Sequence, residues 1–495
     1  MSAALALSAA TLERHAARIT VPAYDRAALA PGVLHLSVGS FHRAHQAVFF
    51  DDLAVLGHTD WGLVGVGLRR PHMRAALEPQ DGLFTVVSRG ADGDSARVIG
   101  VITRYLFAPE QGADVLDTLA DPRLHVVTLT VTGAGYKVGP AGIDRDDPEI
   151  RADLAAPDAP VSAIGLLVEG LARRRRAGLP PFTVLSCDNL PENGALARAA
   201  VVGLASARDP ELGAWIAEHG AFPSSMVDRI TPRTTHEDRA WVAERFGVAD
   251  RWPVLTEPFS QWIVEDHFSA GRPPLEEVGV QLVDDVAPYA LMKTRLLNAS
   301  HCVIGHLGAL AGLEQAHEAV AEPVLRDAIE RLMAEEVTPL LPAVPGVDLA
   351  AYRRDVIERL ANPVLGDRLA RLCRNGSDKM PVHVLSSLRA ARAQGRPHAL
   401  LTLAVAGWLT HLRGEDEDGR ALALDDPQGE RLQRLARAGG TDPGPMVHAS
   451  GLFGSLASDV EWVRELAAAL ELLADEGVRG ALAATLSHPR AAVAA

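Results

Sequence analysis

One short stretch, LMKTRLLNASH, brings an amine, an amide and an imidazole together: Lys293, Asn298 and His301. Read as a helix turning about 100° per residue, it sets Asn298 about 140° and His301 about 80° around from Lys293. All three then share one broad face. Arg295, at about 200°, points away, and His306, at about 220°, reads as structural. Helical side chains tilt toward the N-terminus, which leans Asn298 and His301 back toward the lysine. A buried lysine can be tuned from ~10.4 toward ~7 to 8, which suits a general base for an alcohol. An amide N–H can steady the negative charge that develops on that oxygen. The alternative is a solvated polar face, but Leu291, Met292, Leu296 and Leu297 leave the helix without a clean polar side.

A second candidate lies in LHLSVGSFHRAHQ, where a strand turns into a helix. Such a turn offers backbone N–H groups and a positive dipole end to a phosphate, and glycine lets the backbone approach closely. Gly39 fits the second glycine of a dinucleotide fingerprint, while Ser37 and His42 fall where the first and third would be. Gly39, Ser40 and Phe41 are the candidate cofactor contacts. After the next strand come Arg69 and Arg70 in place of the acidic residue that often binds a ribose 2′-OH. NAD is the expected cofactor, and Arg69 keeps NADP open.

Three further segments carry polar residues at turns. FTVLSCDNLPENG ends a strand on Asp188 and Asn189, where open α/β sheets bind ligands, although turns also favour Asp and Asn before proline. In FPSSMVDRITP, Asp228 and Arg229 are open to either a site or a simple ion pair. RLCRNGSDKMP holds Arg371 and Lys379 across a Gly-Ser turn, two cations for a polyhydroxylated or carboxylated substrate or for solvent. No metal site is expected: there is no HExxH or CxxC, and His42 and His45 lack a compelling acidic third ligand.

The elements that must position these residues fall into two patterns. β-Branched runs at 33–38, 63–68, 84–88, 124–132 and 182–187 alternate with amphipathic segments such as 113–119 and 163–177, which predicts βαβ units and a parallel sheet. Beyond about 285, long Ala/Leu/Arg/Glu segments at 289–311, 324–337, 349–360 and 460–476 are punctuated by prolines, which predicts helices. The expected organisation is α/β: a Rossmann-type doubly wound domain over 1–285 and a mainly α-helical substrate and catalytic domain over 286–495. The mixed segment 195–285 is the hardest to place. The N-terminal stretch MSAALALSAATLERHAAR reads as a helix and not as a signal peptide, since it lacks a basic n-region. The charged stretch RGEDEDGR reads as a solvated loop.

The 495 residues carry 48 Lys plus Arg against 63 Asp plus Glu, a net charge of −15 that argues against nucleic-acid binding. The longest apolar run near the C-terminus, 399–409, is too short to span a bilayer and reads as a core helix. Cys187, Cys302 and Cys373 are odd in number and far apart, so no disulfide framework is expected and a cytoplasmic protein is.

Taken together, GSFHRAHQA, TVTGAGY, SCDNLPENG, MVDRITP, EPFSQWIVED, MKTRLLNASH and RNGSDKMP resemble the mannitol dehydrogenase family of long-chain polyol dehydrogenases and hexuronate reductases. The resemblance runs over roughly residues 30 to 460. It implies metal-independent hydride transfer between a nicotinamide and a polyol/ketose pair, D-mannitol/D-fructose first. Fructuronate reductase or pentitol dehydrogenase activity is the alternative within the class, and a non-catalytic nucleotide sensor the one outside it. By motif, Lys293 resembles the general acid/base, Asn189 and Asn298 the pair holding the reacting oxygen, and His301 the substrate-orienting histidine. Asp228, Arg371 and Lys379 look like substrate contacts; oligomeric state stays open. The sequence departs from the family pattern at Ser37, a usual glycine, at Gly133-Ala134, often Glu-Lys, and at Ala290, commonly glutamate.

Overall fold

The computed structural model describes residues 4–487. The chain divides into two compact units, Met1–Ala287 and Pro288–Ala495.

In the first unit, the apolar runs become the parallel strands Val33–Leu36, Leu63–Gly67, Val126–Leu129 and Thr183–Ser186, joined at one edge by Ile102–Phe107. Numbered in chain order within this sheet, the strands lie 3-2-1-4-5, the order of a doubly wound dinucleotide-binding sheet. Val33 is in register with Leu63 on one side and Val126 on the other. Side chains alternate between the two faces. Leu34, Leu36, Val64 and Val66 enter a core with Leu167 and Leu171 of the helix Ala163–Arg176. Val33, Leu63 and Val126 enter the opposite core, with Phe49 and Phe50 of the helix Gln46–Val55 and with Trp262. Burial on both faces is why these strands read as continuous apolar runs.

Three expectations change. The strand Ile102–Phe107 joins the parallel sheet although its sequence, ITRYLF, carries two exposed residues, as suits an edge. The run at 84–88 belongs elsewhere: Phe84–Gly90 forms an antiparallel hairpin with Gly93–Ile99 and pairs in parallel with Val254–Thr256. Gly93, at φ +124, supplies the left-handed turn that closes this hairpin. The N-terminal stretch is not one helix. Leu5–Ala6 pairs in parallel with Val248–Ala249, and only Leu12–His15 is α-helical. The extended course buries Leu7 against Val87, Val242 and Phe246, a contact worth more than an isolated helical turn; residues 1–3 of that expectation lie outside the described residues.

The second unit is built of helices. Ala399–His411, which contains the 399–409 apolar run, is buried nearly all round, with Trp408 fully enclosed. The Glu336 carboxylate accepts from the backbone N–H groups of Leu400 and Leu401 at 2.9 and 2.8 Å, which completes the helix start and places a negative charge at its positive end. The long helix Val460–Ser487 is interrupted at Gly477, where φ is +66. The predicted helix 289–311 is continuous in course but not in pitch: Ala287–Lys293 and Ala299–Leu310 flank a π-helical turn, Thr294–Asn298. RGEDEDGR is a turn, but the side chain of Asp416 in it is enclosed and accepts from the N–H groups of Asp418 and Arg420. Among the described residues, no helix is long and apolar enough to cross a membrane. All three cysteines are free and buried.

Candidate active site

A cleft of about 420 Å³ opens at the carboxyl ends of the parallel strands in the first unit. Ser37, Gly67, Leu68, Arg69, Arg70, Thr130 and Thr132 line it. Strand order reverses between 63–67 and 126–129, on either side of the central strand, which is where such sheets bind nucleotides. Ser37 holds φ +75, the left-handed conformation that a glycine would adopt without strain. Gly39 precedes the helix Ser40–Ala44, whose start no side chain caps, so its first N–H groups are not taken by a side-chain cap. A Cβ at Gly39 would meet nothing closer than 3.9 Å, which leaves the approach open. These features fit a dinucleotide. Gly39 and Ser40 line an adjoining cleft with Arg70 and His72; Phe41 lines neither and stacks on His45 at 5.0 Å.

A neutral histidine backs Thr130 of this lining. His35, fully buried, contacts Thr128 Oγ1 at 2.8 Å and Thr130 Oγ1 at 3.1 Å, stacks on His42 at 3.5 Å, and is pushed down to about 3 by burial. On the wall, Glu149 lies 3.9 Å from Arg69 and 3.0 Å from Lys137. It places a carboxylate in the cleft that the sequence reading missed, since Glu149 is remote from the strand end where such an acid is usually sought.

Asp188 proves to be an organiser of the loops. Its carboxylate accepts from the N–H groups of Val131 and Thr132 at 3.0 and 2.8 Å and from the Tyr136 hydroxyl at 2.7 Å. Burial raises its pKa against the pull of these donors. Thr132, at φ +65, is held in strain by this clamp. Asn193 then ties the same loop to the next strand: its Nδ2 donates to the carbonyls of Asp188 and Ser225, both at 2.8 Å, and its Oδ1 accepts from Ser225 N–H at 3.0 Å. Asp188→Ala leaves the Val131 and Thr132 N–H groups without an acceptor and the Tyr136 hydroxyl with Ser186 Oγ alone, an expected loss of about 2 kcal/mol or more in unfolding free energy. Urea denaturation measures it, and a change under about 1 kcal/mol would remove the clamp from the argument. Asn189, next in chain, is exposed, and Asp228, at the end of the strand Ser225–Asp228, is buried. Arg229 is held by main-chain carbonyls, Ala44 O at 2.5 Å and Glu257 O at 3.1 and 3.0 Å, and burial pushes it down to about 10.

In the second unit, Lys293 ends one helical segment at 6% exposure, and Asn298 and His301 follow half-buried. The π turn between them changes the angular reckoning made at α pitch. Its wider coil advances less per residue, so Asn298 lies nearer to the Lys293 side than the α-helical 140° places it. Arg371 and Lys379 are not equivalent cations. Arg371 is exposed and its guanidinium is bound two-pronged by Asp367, at 2.6 and 2.5 Å. Lys379 is half-buried on the helix Gly376–His383, and burial holds it below the ordinary lysine value, with Arg371 and Arg374 adding to the fall. The Gly-Ser pair between them opens that helix and is not a loop. His383, absent from the sequence reading, is pushed down to about 4 by burial and by the positive charges of Lys379 and Lys293, whose fields both reach it. No spacing rule joins residues 90 apart in sequence, and only the fold could reveal it.

Residues 31–277 match the family model described as the mannitol dehydrogenase Rossmann domain, and residues 285–474 the mannitol dehydrogenase C-terminal domain. A mannitol 2-dehydrogenase of Phaeosphaeria nodorum is 45% identical over 474 residues, 94% of this chain and 83% of that protein. Among solved structures, the mannitol 2-dehydrogenase of Pseudomonas fluorescens in ternary complex with NAD and D-mannitol superposes with a TM-score of 0.89 at 38% identity, covering 98% of this chain and all of that one. A substrate-free D-sorbitol dehydrogenase gives the same TM-score at 34% identity, over 96% of this chain and all of the other. From the phosphate loop to the last helices, the chain belongs to the mannitol dehydrogenase family.

Proposed function

We propose that the chain is an NAD-dependent polyol dehydrogenase that interconverts D-mannitol and D-fructose. The observation that carries the reading is Lys293, a buried amine one π turn before Asn298 and His301. NAD, when bound in the cleft, supplies the acceptor for the hydride that leaves the carbinol carbon. Gly39, Ser40 and the helix start behind them hold its phosphates, and Arg69, Arg70 and Glu149 face its ribose end. Lys293 takes the hydroxyl proton during oxidation and returns it during ketose reduction. Asn298 donates to the reacting oxygen, His301 orients the substrate, and the family pattern assigns Asn189 to the same oxygen and Asp228 to a substrate hydroxyl. Lys379 is the substrate-facing cation.

The Arg371–Asp367 pair bears on substrate choice. A hexuronate carboxylate is held best by a two-pronged guanidinium, and Asp367 already occupies the Arg371 fork, which leaves only the point charge of Lys379. That favours a neutral polyol over a hexuronate. Three free thiols suit the reducing cytoplasm.

The test is to follow NADH and NADPH consumption with fructose, fructuronate, tagaturonate and xylulose. Fastest turnover is expected with fructose and NADH. Faster reduction of fructuronate would overturn the mannitol assignment, and no turnover with any ketose would leave a nucleotide sensor.

A further inference from the structure

Three helices of the second unit converge on a buried group of side chains that hydride transfer does not use. His306 lies within Ala299–Leu310, Cys373 ends Leu369–Cys373, and His411 ends Ala399–His411. One ligating atom from each lies within 4.8 Å of the others. All three residues are buried, at 2, 7 and 4% exposure. The two imidazoles meet edge to face, with centroids 4.8 Å apart.

A buried imidazole nitrogen normally has a hydrogen-bond partner, because leaving it without one costs about 1–3 kcal/mol. Here Nδ1 of His306 and Nδ1 of His411 are both enclosed and both without one. Neutral imidazole with a free lone pair is the form that binds metal ions. Two of the three residues close helices, where exposed carbonyl ends favour a cation.

We propose that His306, Cys373 and His411 bind one zinc-class divalent transition ion, in a structural role separate from catalysis. Two imidazoles and a thiolate suit zinc better than calcium or magnesium, which take oxygen ligands. On binding, the Cys373 S–H bond is replaced by a sulfur–metal bond and its proton leaves to solvent. The imidazoles donate lone pairs, and nothing is oxidised or reduced. Lys379 is the positive charge that opposes the ion.

The experiment uses the full chain, treated with chelator and then titrated with Co²⁺ as a coloured substitute for zinc. The expected result is one Co²⁺ per chain with a thiolate-to-cobalt charge-transfer band, displaced by Zn²⁺, and a rise in Tm on loading. Cys373→Ser should abolish the band, and His411→Gln should weaken binding at least about tenfold. Absence of the band in the wild-type chain overturns the proposal, as does a band that survives in Cys373→Ser. If Cys373→Ser does not fold, the wild-type spectrum and His411→Gln decide.

Discussion

Replacing Lys293 with alanine is expected to lower kcat for fructose reduction by about 10²- to 10⁴-fold, the usual worth of a positioned general acid or base. The affinity for NADH should stay within about twofold, because the cleft assigned to the cofactor is lined wholly by residues of the first unit. Lys293 is buried, so alanine also leaves a cavity. Lys293→Met keeps the volume and loses only the amine. Equal loss in both variants marks the loss as chemical, and wild-type turnover in either refutes the role. Ala290, one turn before the lysine, gives a finer reading. A carboxylate there would favour the charged amine and raise its pKa. The pH–rate profile of Ala290→Glu should therefore shift to higher pH than that of the wild type, and superimposable profiles would sink the link between the two positions.

Acid should destabilise the fold well before its carboxylates titrate. His35 is pushed down to about 3, and His383 and His411 to about 4, in each case chiefly by burial. The unfolded chain takes up protons at these sites near ~6.5, and the folded chain does not. Stability conferred by the neutral rings is thus complete above the unfolded value and drains away as pH falls toward 3 to 4, at up to about 1.4 kcal/mol per pH unit for each ring. Between pH 7.5 and 5.5 the three together account for a loss of about 4 kcal/mol. Asp188 and Glu336, raised by burial, act in the opposite sense, but from the ordinary carboxylate range upward. Urea melts in chelator across this window measure the slope, and His411→Gln should lower it by one ring's share. A flat profile between pH 7.5 and 5.5 would show that these rings are not buried neutral.

What the sequence made legible was what burial writes into composition. Strands enclosed on both faces, such as Val33–Leu36 and Val126–Leu129, admit little but apolar side chains and can be read directly. The edge strand Ile102–Phe107 shows no such run, because Thr103 and Arg104 reach solvent. The run at 84–88 looks the same as its neighbours, since a half-enclosed hairpin strand and a parallel strand draw on the same residues. At the site, Lys293, Asn298 and His301 were visible by helical spacing. The left-handed Ser37 was not, because serine does not advertise a positive φ. Nor were Glu149 and His383, which reach their places only through the packing of distant segments.

The π turn at Thr294–Asn298 also bears on how this gene can change. A π turn carries one residue more than the α-helix would need over the same span. Losing one codon there would remove that residue and restore ordinary pitch, leaving His301 and the enclosed Cys302–Leu310 segment close to their present phase. Gaining a further codon, or losing two, would instead turn all that follows by about 100°. The helix would still form, yet its inner face would turn outward and its polar residues would aim elsewhere. This stretch therefore has slack for the loss of one residue and for no other change of length.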